Sequence, residues 1–193
     1  MIIYNSALKG IGSNIKAKPC KEDKTDNYHL LTHDLFNPFP DVFNDCAFLY
    51  SETCWKHGFD EFNRKAKITD TRVFSDLCHK IAHIIQQTQQ PIYLTLGKEM
   101  LKKLPQPNGT TEIKQNGSIV ILAWWHTEFS TNARTTNELC QYFGTKYQSM
   151  GDFMCGYGQS LVDFLYGGGK KVVGSDYDSI AVGVTKQRLI SFF

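Results

Sequence analysis

Two glycines separated by one residue lie in the segment DFMCGYGQS, residues 152–160, behind an acid and a short apolar run. Glycine allows a ligand to approach the backbone closely, and the helix predicted after the loop would offer unpaired N–H groups. The next predicted strand, KKVVGSD, ends in Asp176, about 20 residues further on, where an acid binds ribose hydroxyls in dinucleotide sites. This spacing predicts a pocket for a nucleoside.

The loop departs from the dinucleotide pattern at one position. Leu161 stands where the third glycine of that pattern would fall. The departure weakens a nicotinamide or flavin interpretation and is compatible with a nucleoside that lacks a pyrophosphate, such as S-adenosylmethionine. A Gly-x-Gly also occurs in plain strand-to-helix turns, so the interpretation depends on the flanking segments.

The segment DFMCGYGQSLVDFLYGGGKKVVGSDYDSIAVGVTKQRL resembles the C-terminal cofactor segment of permuted amino-group (N6-adenine type) DNA methyltransferases. In that family an Asp-Pro-Phe-x-Gly-x-Gly motif precedes a helix, and the following strand ends in an acid. Phe153 and Met154 replace the family's proline and phenylalanine. The resemblance implies S-adenosylmethionine as the cofactor. The cofactor-binding positions that it implies in this segment are Asp152, Met154, Gly156, Gly158 and Asp176.

An earlier segment, HLLTHDLFNPFPDVFNDCAFLYSETCW, resembles the family's catalytic half, which comes first in permuted members. Asp34 takes the place of an acid that lies near the cofactor's adenine in the family, and a turn or helix-cap role for it is equally open. The stretch Glu-Thr-Cys-Trp at 52–55 takes the place of Asp-Pro-Pro-Trp in degenerate form. The resemblance implies that Glu52 accepts hydrogen bonds from a base's amino group. It implies that Trp55 stacks on a base flipped out of the duplex.

The two segments together imply a methyltransferase that acts on an exocyclic amino group of a nucleobase, with adenine in DNA expected before RNA. Thr53 and Cys54 replace both prolines of the motif, and Glu52 is one methylene longer than aspartate. Two alternatives therefore stay open. One is a catalytically degenerate subunit that binds a partner chain or nucleic acid. The other is an enzyme that consumes S-adenosylmethionine without methylating nucleic acid.

Composition sets the broad class of the protein. The chain has 193 residues, of which 41% are hydrophobic, and a formal net charge of +2, so one domain with a real core is expected. The six cysteines form no Cys-x-x-Cys pair, and no secretory signal is evident, which predicts reduced thiols in a cytoplasmic protein. The family's target-recognition region is small or absent, which leaves room for a partner subunit or a second copy. Neither a metal site nor a membrane span is expected.

Alternating strand and helix patterns would position these residues. A helix is predicted over 72–88, and an Asn116-Gly117 turn predicts a hairpin into a strand at 119–125. The alternation predicts an α/β fold with a mainly parallel twisted sheet and helices on both faces. The resemblance further implies the Rossmann-like fold of class I methyltransferases that use S-adenosylmethionine. A loose N-terminal arm is expected over 1–28 and a single methyltransferase-like domain over 29–193.

The stretch Trp124-Trp125-His126 closes the predicted strand at 119–125. In a parallel sheet, ligands gather at the carboxyl ends of the strands, which would bring one of these side chains to the pocket. Packing of the tryptophans in the core is the alternative.

Overall fold

The computed structural model describes residues 17–53 and 73–193 of the chain. Eight strands lie within these ranges: β1 (Glu22–Lys24), β2 (Tyr28–Thr32), β3 (Leu49–Glu52), β4 (Ile92–Leu96), β5 (Gly109–Gln115), β6 (Ser118–Trp125), β7 (Ser149–Asp152) and β8 (Lys171–Asp176). The helices there are a 3-10 helix (Asp41–Asp45), α1 (Phe74–Gln87), α2 (Lys98–Leu101), α3 (Thr136–Lys146), α4 (Gln159–Tyr166) and α5 (Ser179–Phe192).

The eight strands form one sheet in the order β1-β2-β8-β7-β3-β4-β6-β5. The five strands from β2 to β4 in this order run parallel to one another. Strands β1 and β6 run antiparallel to their neighbours, and β5 is antiparallel to β6. The strand that precedes the glycine loop, β7, therefore lies at the centre of the sheet although it is the penultimate strand of the chain.

Each face of the sheet is covered by its own set of helices. Alternate residues of β4 face opposite ways, so that Tyr93 packs in one core and Leu94 in the other. Helices α3, α4 and α5 cover the Tyr93 face, whereas α1, α2 and the 3-10 helix cover the Leu94 face. Each fully buried leucine or isoleucine contributes roughly 1.5–3 kcal/mol to the stability of such a core. The predicted α/β architecture, with a mainly parallel sheet and helices on both faces, is confirmed.

The predicted hairpin joins β5 to β6 through a two-residue turn. Asn116 and Gly117 have φ angles of 48° and 82°, and Gln115 pairs with Ser118 across the turn. These left-handed angles are those of the tight hairpin turns that favour Asn-Gly. The Asn-Gly signal is confirmed.

Two details differ from the sequence predictions. Glu22–Lys24, within the expected loose arm, form a strand that pairs with β2, and Tyr28 donates a hydrogen bond of 2.7 Å to Asp23. At these residues the expectation of a loose segment is wrong, because an antiparallel strand can satisfy the backbone along the edge of β2.

Strand β6 runs antiparallel, so Trp125 pairs with Ile92 at the start of β4. The end of β6 therefore lies at the edge opposite the carboxyl ends of β3 and β7, so the expectation that one of the side chains of residues 124–126 lines the pocket is wrong. Trp124 and Trp125 are buried in the core, which was the alternative.

Within the described ranges, no helix is both long and apolar enough to cross a membrane. The five cysteines in these ranges are buried and unpaired; they are Cys20, Cys46, Cys78, Cys140 and Cys155.

Candidate functional site

The candidate site lies where the connections of two central strands diverge. Strands β7 and β3 are neighbours, with Tyr50 paired to Asp152 near their carboxyl ends. Helix α4, which follows β7, lies on one face of the sheet, and α1, the first helix described after β3, lies on the other face. In open parallel sheets this divergence opens a crevice in which ligands bind. The glycine loop and Glu52 both lie at this edge.

The glycine loop, residues 155–158, is fixed to the neighbouring strand β8. The backbone N–H of Cys155 donates to the carbonyl of Ser175 at 2.8 Å, and that of Gly156 donates to Oδ2 of Asp176 at 2.8 Å. Within the loop, the N–H of Gly158 donates to the carbonyl of Cys155 at 2.8 Å. The sequence prediction that the glycine loop and Asp176 lie together is thus realised as a direct hydrogen bond.

The two glycines of the loop have different structural roles. Both have positive φ angles, 52° at Gly156 and 75° at Gly158, which favour glycine. A Cβ atom built on Gly158 would lie 2.5 Å from Cγ2 of Thr185, so this glycine allows the loop to pack on α5. A Cβ atom on Gly156 would meet no atom of the described residues within 4 Å, so this glycine borders open space.

The carboxylate of Asp176 lies at the end of β8 beside this open space. Its Oδ1 accepts a hydrogen bond of 2.9 Å from the N–H of Asp178, while Oδ2 accepts the one from Gly156. Burial raises the pKa of Asp176, and these backbone donors oppose the rise. The N–H of Tyr177 is a third backbone donor to this carboxylate, whose two oxygens have about four lone pairs in all, so the group can accept a further hydrogen bond from a ligand hydroxyl.

Asp34 is brought to the same edge by the end of β2. The N–H of His33 donates to the carbonyl of Asp176 at 2.9 Å, so Asp34 begins the loop next to the acid of β8. Oδ1 of Asp34 accepts a hydrogen bond of 3.1 Å from the N–H of Phe36, and its carbonyl accepts one of 2.9 Å from Asn37. The turn role that the sequence left open is therefore present, at a position close to the candidate pocket.

Asp152 is enclosed by protein donors. Its side chain is buried and accepts hydrogen bonds from the hydroxyls of Ser51, at 2.6 Å, and Ser160, and from the N–H of Met154 at 3.0 Å. Burial raises the pKa of Asp152 to about 7 although all three donors lower it. The half-buried Met154 side chain packs against the core on the α1 face. Asp152 thus joins β7 to β3 and to the first turn of α4. These hydrogen bonds fix both ends of the glycine loop.

Sequence reasoning did not identify Ser51 and Ser160. A single serine in a strand or a helix carries no local signal. Their role follows from long-range packing, which brings Ser51 to Asp152 from 101 residues away in the chain.

Glu52 ends β3, and its carboxylate is surrounded by polar side chains from its own strand, from β5 and from α3. Its Oε1 accepts a hydrogen bond of 3.2 Å from the hydroxyl of Tyr50, and its Oε2 accepts a short one from the amide of Gln115. The side chain of Thr136 at the start of α3 adds a further donor. Burial raises the pKa of Glu52, while these donors oppose the rise. Trp55, the predicted stacking residue, lies outside the described residues.

Comparisons with known proteins connect this fold to DNA methyltransferases. No protein-family model and no curated protein sequence matches the chain. Among solved structures, M1.HpyAVI has 8% identity, covers 84% of this chain and 98% of its own, and gives a TM-score of 0.57. The M1.HpyAVI–SAM complex has 9% identity, coverages of 84% and 99% and a TM-score of 0.52. The cytosine-N4-specific PvuII DNA methyltransferase has 9% identity, coverages of 86% and 87% and a TM-score of 0.52.

The similarity at these identities is one of fold, and it extends along most of each chain. The implied fold, a mainly parallel eight-stranded sheet with helices, is therefore confirmed, and it is shared with these methyltransferase structures.

Proposed function

We propose that the protein binds S-adenosylmethionine in the crevice between the glycine loop and the ends of β3 and β8. The observation that carries this proposal is the open space at Gly156, directly beside the carboxylate of Asp176. A nucleoside cofactor needs close backbone approach and an acceptor for ribose hydroxyls, and these two residues supply both. The M1.HpyAVI complex, which has this fold, contains SAM.

The other predicted cofactor residues fit this cofactor in distinct roles. Asp176 would accept hydrogen bonds from the ribose hydroxyls, and Asp34 would border the nucleoside from the neighbouring loop. Asp152 and the backbone of Met154 would hold the glycine loop rather than contact the ligand, because their polar atoms are already bonded within the protein. Gly158 would also help to hold the glycine loop, through its packing on α5.

We further propose methyl transfer to an exocyclic amino group of a nucleobase, with adenine in DNA as the first candidate. When bound, S-adenosylmethionine supplies an electrophilic methyl group. Glu52 would accept a hydrogen bond from the amino group, which directs the nitrogen lone pair, and Trp55 would stack on the flipped base. The chain order supports the permuted arrangement of the family, because β2 and β3 precede β7 and β8.

Transfer from isotopically labelled S-adenosylmethionine to unmethylated duplex DNA tests this activity. Glu52→Gln and Glu52→Ala should reduce incorporation by roughly a hundredfold or more, since orientation of the amino group would be lost. Their affinity for S-adenosylmethionine should stay unchanged. Glu112→Gln, an exposed change on β5, is the matched control and should transfer normally. Equal transfer by the Glu52 variants and the control would exclude Glu52 from catalysis.

The hydrogen bonds of Glu52 favour a second candidate function. Tyr50, Gln115 and Thr136 already occupy its oxygens, as expected of a carboxylate retained for structure. In that case the protein would be a degenerate, cofactor-binding subunit that works with a partner chain. Cofactor binding without transfer to DNA or RNA by the isolated protein, followed by transfer once the partner is added, would support this function.

A further inference from the structure

Helix α5 contacts the glycine loop through two side chains on the same helical face. Nη1 of Arg188 donates to the carbonyl of Tyr157 at 2.8 Å. Oγ1 of Thr185 lies 2.9 Å from the carbonyl of Gly156 and 3.1 Å from that of Ala181, one turn earlier in α5, so its single proton is shared between a loop carbonyl and a helix carbonyl. Residues three apart on a helix are neighbours, so the two donors reach consecutive carbonyls of the loop. Both side chains are buried.

Arg188 is an unusual residue to find in this position. It is only 8% exposed, and a buried guanidinium is costly unless its charge and N–H groups are used. Nη1 also contacts Oε1 of Gln159 at 3.3 Å, at the first residue of α4. Burial lowers the pKa of Arg188, and the charge of Asp163 opposes this. Within residues 17–53 and 73–193, Nε and Nη2 have no hydrogen-bond partner, so its defined contacts are with the loop and the start of α4.

The loop needs such contacts because its own residues do little to hold it. Gly156 and Gly158 have no side chains, and glycine has many conformations accessible to it. The residue that precedes α4, Gly158, has no side chain to cap the helix. The backbone is restrained from β8 by its N–H groups and from α5 by its carbonyl groups, so the loop is held from two sides.

We infer that Thr185 and Arg188 are positioning residues that keep the glycine loop in the conformation that receives the cofactor. The inference rests on the proposed function, since it assigns a role in binding S-adenosylmethionine to residues outside the predicted site. The carbonyl-directed contacts fix the orientation of both peptide planes around Gly156 and Tyr157. Loss of either donor would let those planes rotate toward the open space.

Two readouts test this on the full chain. The first is hydrogen–deuterium exchange of peptides that cover residues 154–161, which needs no ligand. The second is calorimetric titration with S-adenosylmethionine. The variants are Thr185→Val, which keeps the shape and removes the donor, Arg188→Met and Arg188→Lys. The control is Leu189→Ala, which opens a cavity in the same core and removes no hydrogen bond to the loop.

Thr185→Val and Arg188→Met should accelerate exchange in the loop peptides and weaken binding by roughly tenfold or more. Arg188→Lys keeps a donor, so its loop peptides should exchange more slowly than those of Arg188→Met, and its affinity for S-adenosylmethionine should be higher. Leu189→Ala should lower the melting temperature while leaving loop exchange and affinity near the wild-type values.

Unchanged loop exchange in both Thr185→Val and Arg188→Met would overturn the inference, as would equal loosening by Leu189→Ala. Failure of the wild-type protein to bind would instead refute the proposed function, and the exchange data would still decide the role of α5. If Arg188→Met does not fold, Thr185→Val carries the test alone.

Discussion

The buried carboxyl group of Asp152 makes the stability of the fold depend on pH. Its pKa in the folded protein is about 7, well above the ordinary 3.8. The folded state therefore holds this proton more tightly than the unfolded chain does. The resulting stabilisation is fully present below pH 3.8 and is lost as the pH rises through about 7.

We expect Asp152→Asn to remove this dependence, because an amide does not titrate. Between pH 4 and pH 8 the wild type should lose, relative to the variant, on the order of 2–4 kcal/mol of unfolding free energy. Urea unfolding of both proteins at a series of pH values measures the difference. Parallel pH profiles for the two proteins would contradict the assignment of a raised pKa to Asp152.

The two glycines of the loop should respond differently to alanine. Gly158→Ala combines a left-handed φ with a collision against Thr185, so it should cost roughly 2–4 kcal/mol of stability. Gly156→Ala faces open space and should cost only roughly 1–2 kcal/mol, yet its methyl group would enter the proposed cofactor space and weaken binding. Thermal unfolding and cofactor titration separate the two effects.

Gly117→Ala is the control for this pair. Gly117 has a φ of 82° and open space around it, but it lies in the hairpin turn rather than in the loop. Gly117→Ala should introduce backbone strain similar to that of Gly156→Ala and should leave the affinity for the cofactor unchanged. Equal affinities for the Gly156 and Gly117 variants would show that no ligand approaches Gly156.

Local spacing in the sequence predicts some of the site residues and not others. The Gly-x-Gly pair and Asp176 were found from spacing alone, because a strand, a tight loop and a helix follow one another locally. The contacts of Thr185 and Arg188 with the loop were not predicted, because they depend on how the distant helix α5 packs. The roles of Glu52 and Trp55 stay predictions.

At the scale of elements, the β5–β6 hairpin helps to position Glu52. Gln115 ends β5 immediately before the turn, and its amide donates to the Glu52 carboxylate. This hydrogen bond lowers the pKa of Glu52 and partly offsets the effect of burial. A change in the hairpin is therefore expected to alter the pKa of Glu52, the proposed catalytic group.

Gln115→Ala should raise the pKa of Glu52 further, since the charged form loses a donor. Carbon-detected NMR titration of labelled glutamate side chains, with Glu52→Gln used for assignment, measures the shift. A constant or lowered pKa for Glu52 would mean that the hydrogen bond does not form in solution.

Elements with a strong local pattern were easier to predict than those without one. The apolar spacing of α1 and the Asn-Gly turn each specify their structure within a few residues. Helix α3 was not predicted, because its TNELCQYFGTK sequence buries few apolar residues and carries a mid-helix glycine. The direction of β6 was misjudged because strand direction depends on pairing partners rather than on the strand's own residues.

At the scale of the whole molecule, the order of the strands assembles the site from both ends of the chain. Glu52 and Asp34 come from the first half, whereas the glycine loop and Asp176 come from the last quarter. Alternating strands and helices indicated a parallel sheet, but a single sequence does not state which strands are neighbours. That information comes from the structure, in which β7 lies between β3 and β8.

Calorimetric titration of the wild type and Asp176→Ala with S-adenosylmethionine measures whether this crevice binds the cofactor. Asp26→Asn, an exposed change outside the site, is the control. We expect roughly micromolar binding by the wild type and the control, weakened by roughly tenfold or more in Asp176→Ala. No binding by the folded wild type, or equal binding by Asp176→Ala, would contradict this expectation.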